Sequence, residues 1–418
     1  MSKQESPTRF RTLLTGLVLL LTVAATPAPD TQLKARDHEK LGGLIGKYFE
    51  AKGPKGKGAA KALDKVRDEI AKIEKKAKAP FLSMTDDMEE IFYFAREYKD
   101  AGTKGRVTTV KADNYYSELG QLEYVLRTPK SYRASKGPYP LLLCLTDTDE
   151  DPEAHLTSNW IDGELLASTI VVVCKMPDDK DIWNMLKGGV GNAMQIFGHV
   201  MKKFAVDGDQ VFLAGRGLSV DTAMTTANLY PHTFAGVIGR AGDMGEHLPT
   251  NFRNLPTYFA GGGANSTAFS EAAQADKIEN CTLKADGTEA DIWTWMQGLK
   301  RNPHPLDVSI APTNDMGRSA YWVALEGFDP TLNPTVRATI DRDTNSITVV
   351  SSGVTTVMLS FNDLLVDLDK QIVVTANGVK HEITLPRRLD VALNWAYESG
   401  DRKRAYVNRY QFDMQEDE

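Results

Sequence analysis

Cysteine is scarce in this chain, histidine is nearly so, and no net positive charge is present. Three cysteines, Cys144, Cys174 and Cys281, occur in 418 residues. An odd, widely spaced set is not a disulfide framework, and without a Cys-x-x-Cys pair or Cys/His ligand spacing there is no structural zinc motif. Cys144 and Cys174 fall in apolar runs and read as buried free thiols. The net charge of −7 argues against a general nucleic-acid binder. Long apolar runs are missing beyond the first 25 residues, which leaves no later membrane span. No repeat of fixed period, no Gly-x-Gly-x-x-Gly after a strand and no phosphate-loop lysine is found; Gly188-Gly189-Val190-Gly191-Asn192 is glycine-rich without either pattern. Asp341-Arg342-Asp343-Thr344-Asn345 lacks the glycine and distal glutamate of a calcium loop and reads as a turn between strands. No metal and no cofactor are expected.

What the chain does contain is ordinary globular material, 42% apolar and 25% charged, preceded by one unusual segment. Arg9 and Arg11 introduce an apolar run from Leu13 to Ala25 that ends in Val23-Ala24-Ala25. A basic start, a short apolar stretch and a small-residue end read as a secretory signal peptide over residues 1–25, with an uncleaved anchor as the alternative. Residues 26–112 read as helical. Leu63, Val66, Ile70, Ile73 and Ala77 form an apolar seam at helical spacing. Between Lys34 and Lys78, fourteen Lys/Arg stand against seven Asp/Glu, a surplus of seven. That is a solvated face or a surface for an anionic envelope polymer.

Residues 113–302 change to strand-like apolar runs at 140–145, 169–174, 210–215, 234–239 and 256–260. Helical patterns at 182–204 and 219–229 lie between them. Such alternation predicts an α/β domain with a mostly parallel sheet covered on both faces. Residues 303–418 predict a β-rich module. Strand-like runs lie at 339–350 and 355–359, an Asn377-Gly378 turn follows Ile372-Val373-Val374-Thr375-Ala376, a helix covers 389–397, and a last strand covers 404–412.

Val206-Asp207-Gly208-Asp209-Gln210-Val211-Phe212-Leu213-Ala214-Gly215 resembles the approach to the nucleophile elbow in the esterase, depolymerase and prolyl-oligopeptidase-like branch of the α/β-hydrolases. Tyr230-Pro231-His232-Thr233-Phe234-Ala235-Gly236-Val237 is similar to the segment that follows it there. The resemblance covers about residues 120–300 and implies an α/β-hydrolase-like fold in a bacterial exported protein, periplasmic or secreted. In the family, a sharp strand–turn–helix lifts a serine above the sheet. Here the five elbow positions are Gly215, Arg216, Gly217, Leu218 and Ser219, so the nucleophile position is Gly217, which has nothing to attack with. The acid position falls on Asn265. The histidine position has no histidine, and Glu289 lies nearest to it. His155, His199, His232, His247 and His304 are all off the family position; only His155 and His247 stand as candidates for a rearranged site. The loop that would carry oxyanion donors holds Asp147, Asp149, Glu150, Asp151 and Glu153, whose charge opposes a developing oxyanion.

The resemblance therefore implies a pseudo-hydrolase that binds a small molecule or a cell-envelope polymer. The alternative is an active ester or peptide hydrolase with a rearranged site using Ser219, a residue otherwise read as a helix cap. Arg216, Arg240 and Asp243, at the C-terminal edge of the strands, are the candidate ligand-binding residues. The opposing reading pairs Arg240 with Asp243, or Arg216 with the acidic loop.

Overall fold

The computed structural model describes residues 32–54, 56–113, 121–147, 149–175 and 188–414. The expected signal peptide lies outside them. Helices α1 (Ala35–Lys52), α2 (Ala59–Ala77) and α3 (Thr85–Phe94) open the described chain. The α2 seam is used as its spacing predicts: Val66, Ile70 and Ile73 are buried, with Leu63 and Ala77 packed beside them. The buried Asp87 carboxylate in α3 accepts the Leu33 amide at 3.1 Å and faces His38 Nε2 at 2.6 Å, which ties α1 to α3.

An eight-stranded sheet follows, with helices interleaved. Its elements are β1 (Thr108–Asp113), β2 (Gln121–Arg127), β3 (Tyr139–Leu145), α4 (Pro152–Asn159), α5 (Gly163–Ser168) and β4 (Ile170–Cys174). Then come α6 (Gly189–Lys203), β5 (Val206–Arg216), α7 (Ser219–Leu229), β6 (Gly236–Arg240) and β7 (Thr257–Ala260). The last are α8 (Ala264–Ala275), β8 (Cys281–Lys284) and α9 (Glu289–Gln297). The strand order is β1-β2-β4-β3-β5-β6-β7-β8; β2 runs antiparallel to both its neighbours and the remaining pairs are parallel. This is an α/β-hydrolase-like architecture. Alternation along the strands feeds two cores. Leu141, Leu143 and Leu145 of β3 enter one with Ile196 and Val200 of α6. Leu142 and Cys144 enter the other with Ile292 and Met296 of α9. Side chains alternate between the faces of a strand, so a strand covered on both faces must be apolar at every position. Cys144 and Cys174 are buried free thiols.

The sheet begins earlier than residue 113. β1 starts at Thr108, inside the stretch read as helical, and pairs Thr108 with Leu126 of β2. Its sequence, Thr-Thr-Val-Lys-Ala-Asp, is that of a polar edge strand, which gives no apolar run to detect. The helical stretch expected at 182–204 is described from Gly189 onward.

The C-terminal residues form two smaller sheets. Their elements are β9 (Asp307–Ile310), β10 (Ser319–Ala320), β11 (Val323–Phe328), β12 (Thr335–Asp341), β13 (Ser346–Ser352) and β14 (Val354–Phe361), then β15 (Ile372–Ala376), β16 (Val379–Ile383), α10 (Leu389–Glu398) and β17 (Asn408–Asp413). The strand orders are β10-β11-β14-β17 and β16-β15-β13-β12-β9. Within the run 339–350 the chain turns at 342–345, as the reading of Asp341–Asn345 has it, and pairs back as the β12–β13 hairpin, Asp341 opposite Ser346. Leu41, Ile45, Val66 and Ile91 of the N-terminal helices share a single core with Val323, Leu325, Val357 and Leu393 of this module. The first and last parts of the chain thus form one body beside the large sheet. Among the described residues no helix is long and apolar enough to cross a membrane.

Candidate functional site

At the C-terminal end of β5 the chain passes through Gly217 at φ +60° and turns into α7. Space around the turn is minimal. A β-carbon at Gly215 would lie 2.8 Å from Val220 Cα, and one at Gly242 would lie 2.8 Å from Gly217 Cα. The Gly217 amide donates to the Arg240 carbonyl at 3.1 Å. The left-handed conformation at Gly217 and the flanking small residues make a sharp, crowded strand-to-helix turn, the kind of turn a nucleophile elbow needs.

A side chain at position 217 would have no room. A β-carbon on Gly217 would fall within the Asp147 carboxylate, 2.7 Å from Oδ1 and nearer still to Cγ and Oδ2. Asp147 Oδ1 accepts the Leu218 amide at 3.1 Å. That amide, following the nucleophile position, is the one a hydrolase of this fold presents to an oxyanion. Asp147 in turn is held from behind, because its own amide donates to Glu150 Oε2 at 3.0 Å.

Glu150 is the hub of the acidic loop. His155 Nδ1 lies 2.8 Å from its Oε2 and Arg216 Nη1 lies 3.7 Å from its Oε1. Burial raises the Glu150 carboxyl, but the hydrogen bonds from His155 and the Asp147 amide, with the charge of Arg216, bring it below its usual range. Burial pushes His155 down against the pull of Glu150. Both shifts describe an ionised carboxylate beside a neutral imidazole. Trp160 Nε1 donates to His155 Nε2 at 3.3 Å, which leaves Nδ1 to donate to Glu150. With both ring nitrogens engaged and the residue 1% exposed, His155 has no nitrogen to offer as a base. Asp151 caps α4 through the Ala154 amide at 2.8 Å.

The remaining expected residues are also engaged by the protein. Ser219 is 1% exposed; its Oγ accepts the Arg216 amide at 2.8 Å and lies 3.0 Å and 2.9 Å from the Leu145 and Arg216 carbonyls. It braces the end of β5, and α7 has no side-chain cap. Asn265 Nδ2 donates to the Met244 carbonyl at 2.7 Å. Glu289 accepts the Asp162 amide at 2.7 Å. Arg216 meets the acidic loop, as one of its two readings had it. Arg240 does not pair with Asp243: it donates to the Asn159 carbonyl at 2.6 Å and lies 4.7 Å over the Trp160 ring. Asp243 accepts the Asn265 amide at 2.9 Å and, through Oδ1, the Ser266 amide at 2.9 Å and hydroxyl at 2.6 Å, at the start of α8. Although burial opposes it, these donors bring its carboxyl down to about 2.

Asp221 was not legible as a site residue. It lies 3.1 Å from His247 Nε2 and also accepts the Gly245 amide at 2.7 Å; the hydrogen bond from His247 leads in lowering its carboxyl. This is an Asp–His pair, but Ser219, the rescue candidate, is turned to other partners. His199 contacts the Tyr124 hydroxyl at 2.9 Å and His304 contacts Asn362 at 2.8 Å, both within structural packing. Among the described residues no group of His, Cys, Asp and Glu is placed to hold a metal ion.

No protein-family model matches the chain, and no curated protein matches it in sequence. Solved structures do resemble part of it. A thermostable esterase aligns with 47% of this chain at 13% identity and a TM-score of 0.39, and the match spans 63% of that esterase. A ferulic acid esterase aligns with 46% of this chain and 96% of its own length, at 14% identity and a TM-score of 0.37. The fluorophosphonate-binding serine hydrolase FphF of Staphylococcus aureus aligns with 46% of this chain and 99% of its own, at 10% identity and a TM-score of 0.37. The strand order, the reversed β2 and the Gly217 turn between β5 and α7 give this chain an α/β-hydrolase-like architecture, similar to esterases at low identity.

Proposed function

We propose that this protein is an exported, non-catalytic member of the α/β-hydrolase fold that acts by binding, with a small molecule or an envelope polymer as partner. One observation carries the reading: the Asp147 carboxylate lies where a nucleophile's side chain would stand and accepts the amide an oxyanion would need. Oxyanion stabilisation requires donors aimed at the developing charge. Here that charge would meet a fixed like charge. Two unit charges about 4 Å apart repel by about 4 kcal/mol at the effective dielectric near a protein surface. That is about a thousandfold in rate. Ser219 adds no route, since its hydroxyl faces the Leu145 and Arg216 carbonyls and, among the described residues, no histidine hydrogen-bonds to it.

Intact-mass measurement after exposure to a fluorophosphonate tests this. The purified protein is expected to remain unlabelled. Stoichiometric labelling at Ser219, lost in Ser219→Ala, would establish an active hydrolase instead. The same mass spectrum reads the export claim, since loss of residues 1–25 from protein recovered from the cell envelope is its expected signature.

A further inference from the structure

The mouth of the sheet has little left to bind with: Arg216 is paired, Arg240 is stacked and hydrogen-bonded, and Asp243 caps a helix. A different place is built for a ligand. Where α6 of the large sheet meets the body formed by the N-terminal helices and the C-terminal module, a pocket of ≈ 340 Å³ opens. That is the size of a small-molecule site, whose range begins at about 300 Å³. Met194, Phe197 and Met201 of α6 supply an apolar wall. Arg96, from the link after α3, and Arg402, from the link after α10, line the same pocket.

The charges there are unequal. Asp401 also lines the pocket, but it is bridged by Arg301 at 2.6 Å and Arg404 at 2.8 Å, so its charge is already compensated. Glu398 is the other carboxylate on the wall and is exposed. Arg402 lies 4.4 Å over the Tyr93 ring. Among the described residues, neither Arg96 nor Arg402 has a carboxylate within ion-pairing distance. Burial lowers the Arg96 guanidinium against the opposing influence of Tyr98 and Asp401. A half-buried guanidinium is a fork of donors that gains most from a carboxylate. His232 also lines this pocket.

We infer that this seam pocket binds an organic monocarboxylate with an apolar body, its head group on Arg96 and Arg402 and its body against Met194, Phe197 and Met201. A phosphate-rich or polymeric anion does not fit the description, because the α6 residues lining the pocket are apolar apart from Lys202 and the volume is small. Because the site straddles the two bodies of the molecule, its occupant bridges them.

Octanoate is the probe, titrated calorimetrically into the purified protein, with octylammonium as the comparator of opposite charge. Saturable binding of one octanoate per chain is expected, without measurable binding of octylammonium. Arg96→Gln and Arg402→Gln should each weaken octanoate by about tenfold or more, the loss of a charge-assisted hydrogen bond. Gly198 offers a variant that leaves the charges in place. It lines the pocket on α6, and a β-carbon there meets nothing within 4 Å. Gly198→Leu should therefore fold, since leucine is the better helix former, and abolish binding by filling the pocket. Arg216→Gln should change nothing. Absence of octanoate binding, equal binding of octylammonium, or binding indifferent to Gly198→Leu would each overturn the assignment. If an arginine variant fails to fold, Gly198→Leu decides alone.

Discussion

Asp147 and Gly217 act on each other across 70 positions of sequence. The carboxylate needs the glycine's missing side chain for room, and the turn uses the carboxylate to satisfy the Leu218 amide. Restoring serine at 217 therefore does not simply restore an elbow. Gly217→Ser should cost about 1–3 kcal/mol through overpacking against Asp147. Asp147→Ala should cost about 1.5–3 kcal/mol by removing a charge-assisted bond to a backbone amide. The double variant should be less destabilised than the sum, by about 1 kcal/mol or more, because removing the carboxylate relieves the clash. Urea unfolding of the four proteins reads this coupling; strict additivity would mean that the two residues do not compete for the same space. At this scale the glycine was legible in the sequence and its occupant was not. The five acidic residues of the loop signalled an unfavourable charge, but which one reaches the elbow depends on how the loop turns back through Glu150 and His155.

Individual elements are tied down by side chains that the sequence offered for function. Helix α8 starts beneath Asp243, which accepts two of its first amides and the Ser266 hydroxyl. A carboxylate over the first turn satisfies donors that have no intrahelical acceptor and favours the positive end of the helix dipole. Asp243→Asn should lower stability by about 1–2 kcal/mol at neutral pH, the size of a capping loss. The sign of the pH dependence follows from the direction of the shift. The folded carboxyl titrates at about 2, below its unfolded value of about 3.9, so its contribution is complete above about pH 4 and is lost as pH falls toward 2. The gap between the wild type and Asp243→Asn in thermal unfolding should close over that window, and a gap unchanged at about pH 2 would remove the carboxylate from the account. Strands β3 and β4 could be read because burial on both faces makes them continuously apolar. β1 could not, because an edge strand with an exposed face carries the composition of a loop.

The two bodies of the molecule are joined by a buried ion network as well as by contact. Arg301 follows the large sheet's last helix, has 2% of its side chain exposed, and binds Asp209 at 2.9 Å, Asp401 at 2.6 Å and the His232 carbonyl at 2.6 Å. Asp401 belongs to the C-terminal module, and both carboxylates depend on cations that other segments bring. Lys403, which pairs with Glu89 of α3, also reaches Asp209 at 3.5 Å and extends the network to the N-terminal helices. Removing one member of such a network leaves a buried charge without its partner, a loss of about 3–5 kcal/mol. Arg301→Met should destabilise the protein by that amount, and scanning calorimetry should resolve two transitions in the variant against one expected for the wild type. A single transition at the wild-type temperature would show that the network does not couple the bodies. None of this was visible along the chain, where residues 26–112 and 303–418 read as separate parts.

By itself the sequence determined what depends on neighbours a few residues apart. The parallel sheet follows from runs of apolar strands, the amphipathic α2 from a seam at helical spacing, and the tight turn after β5 from its glycines. The pairing of Arg216 with the acidic loop was among its readings. Only the tertiary structure decided what depends on residues far apart in sequence. It placed Asp147 in the elbow, sent Arg240 to Asn159 and Trp160 instead of Asp243, and closed one core from the two ends of the chain. It also left Arg96 and Arg402 facing a shared pocket. Local periodicity reports which face of an element is buried, whereas the partner of a charged side chain is set by the distances and burial that folding creates.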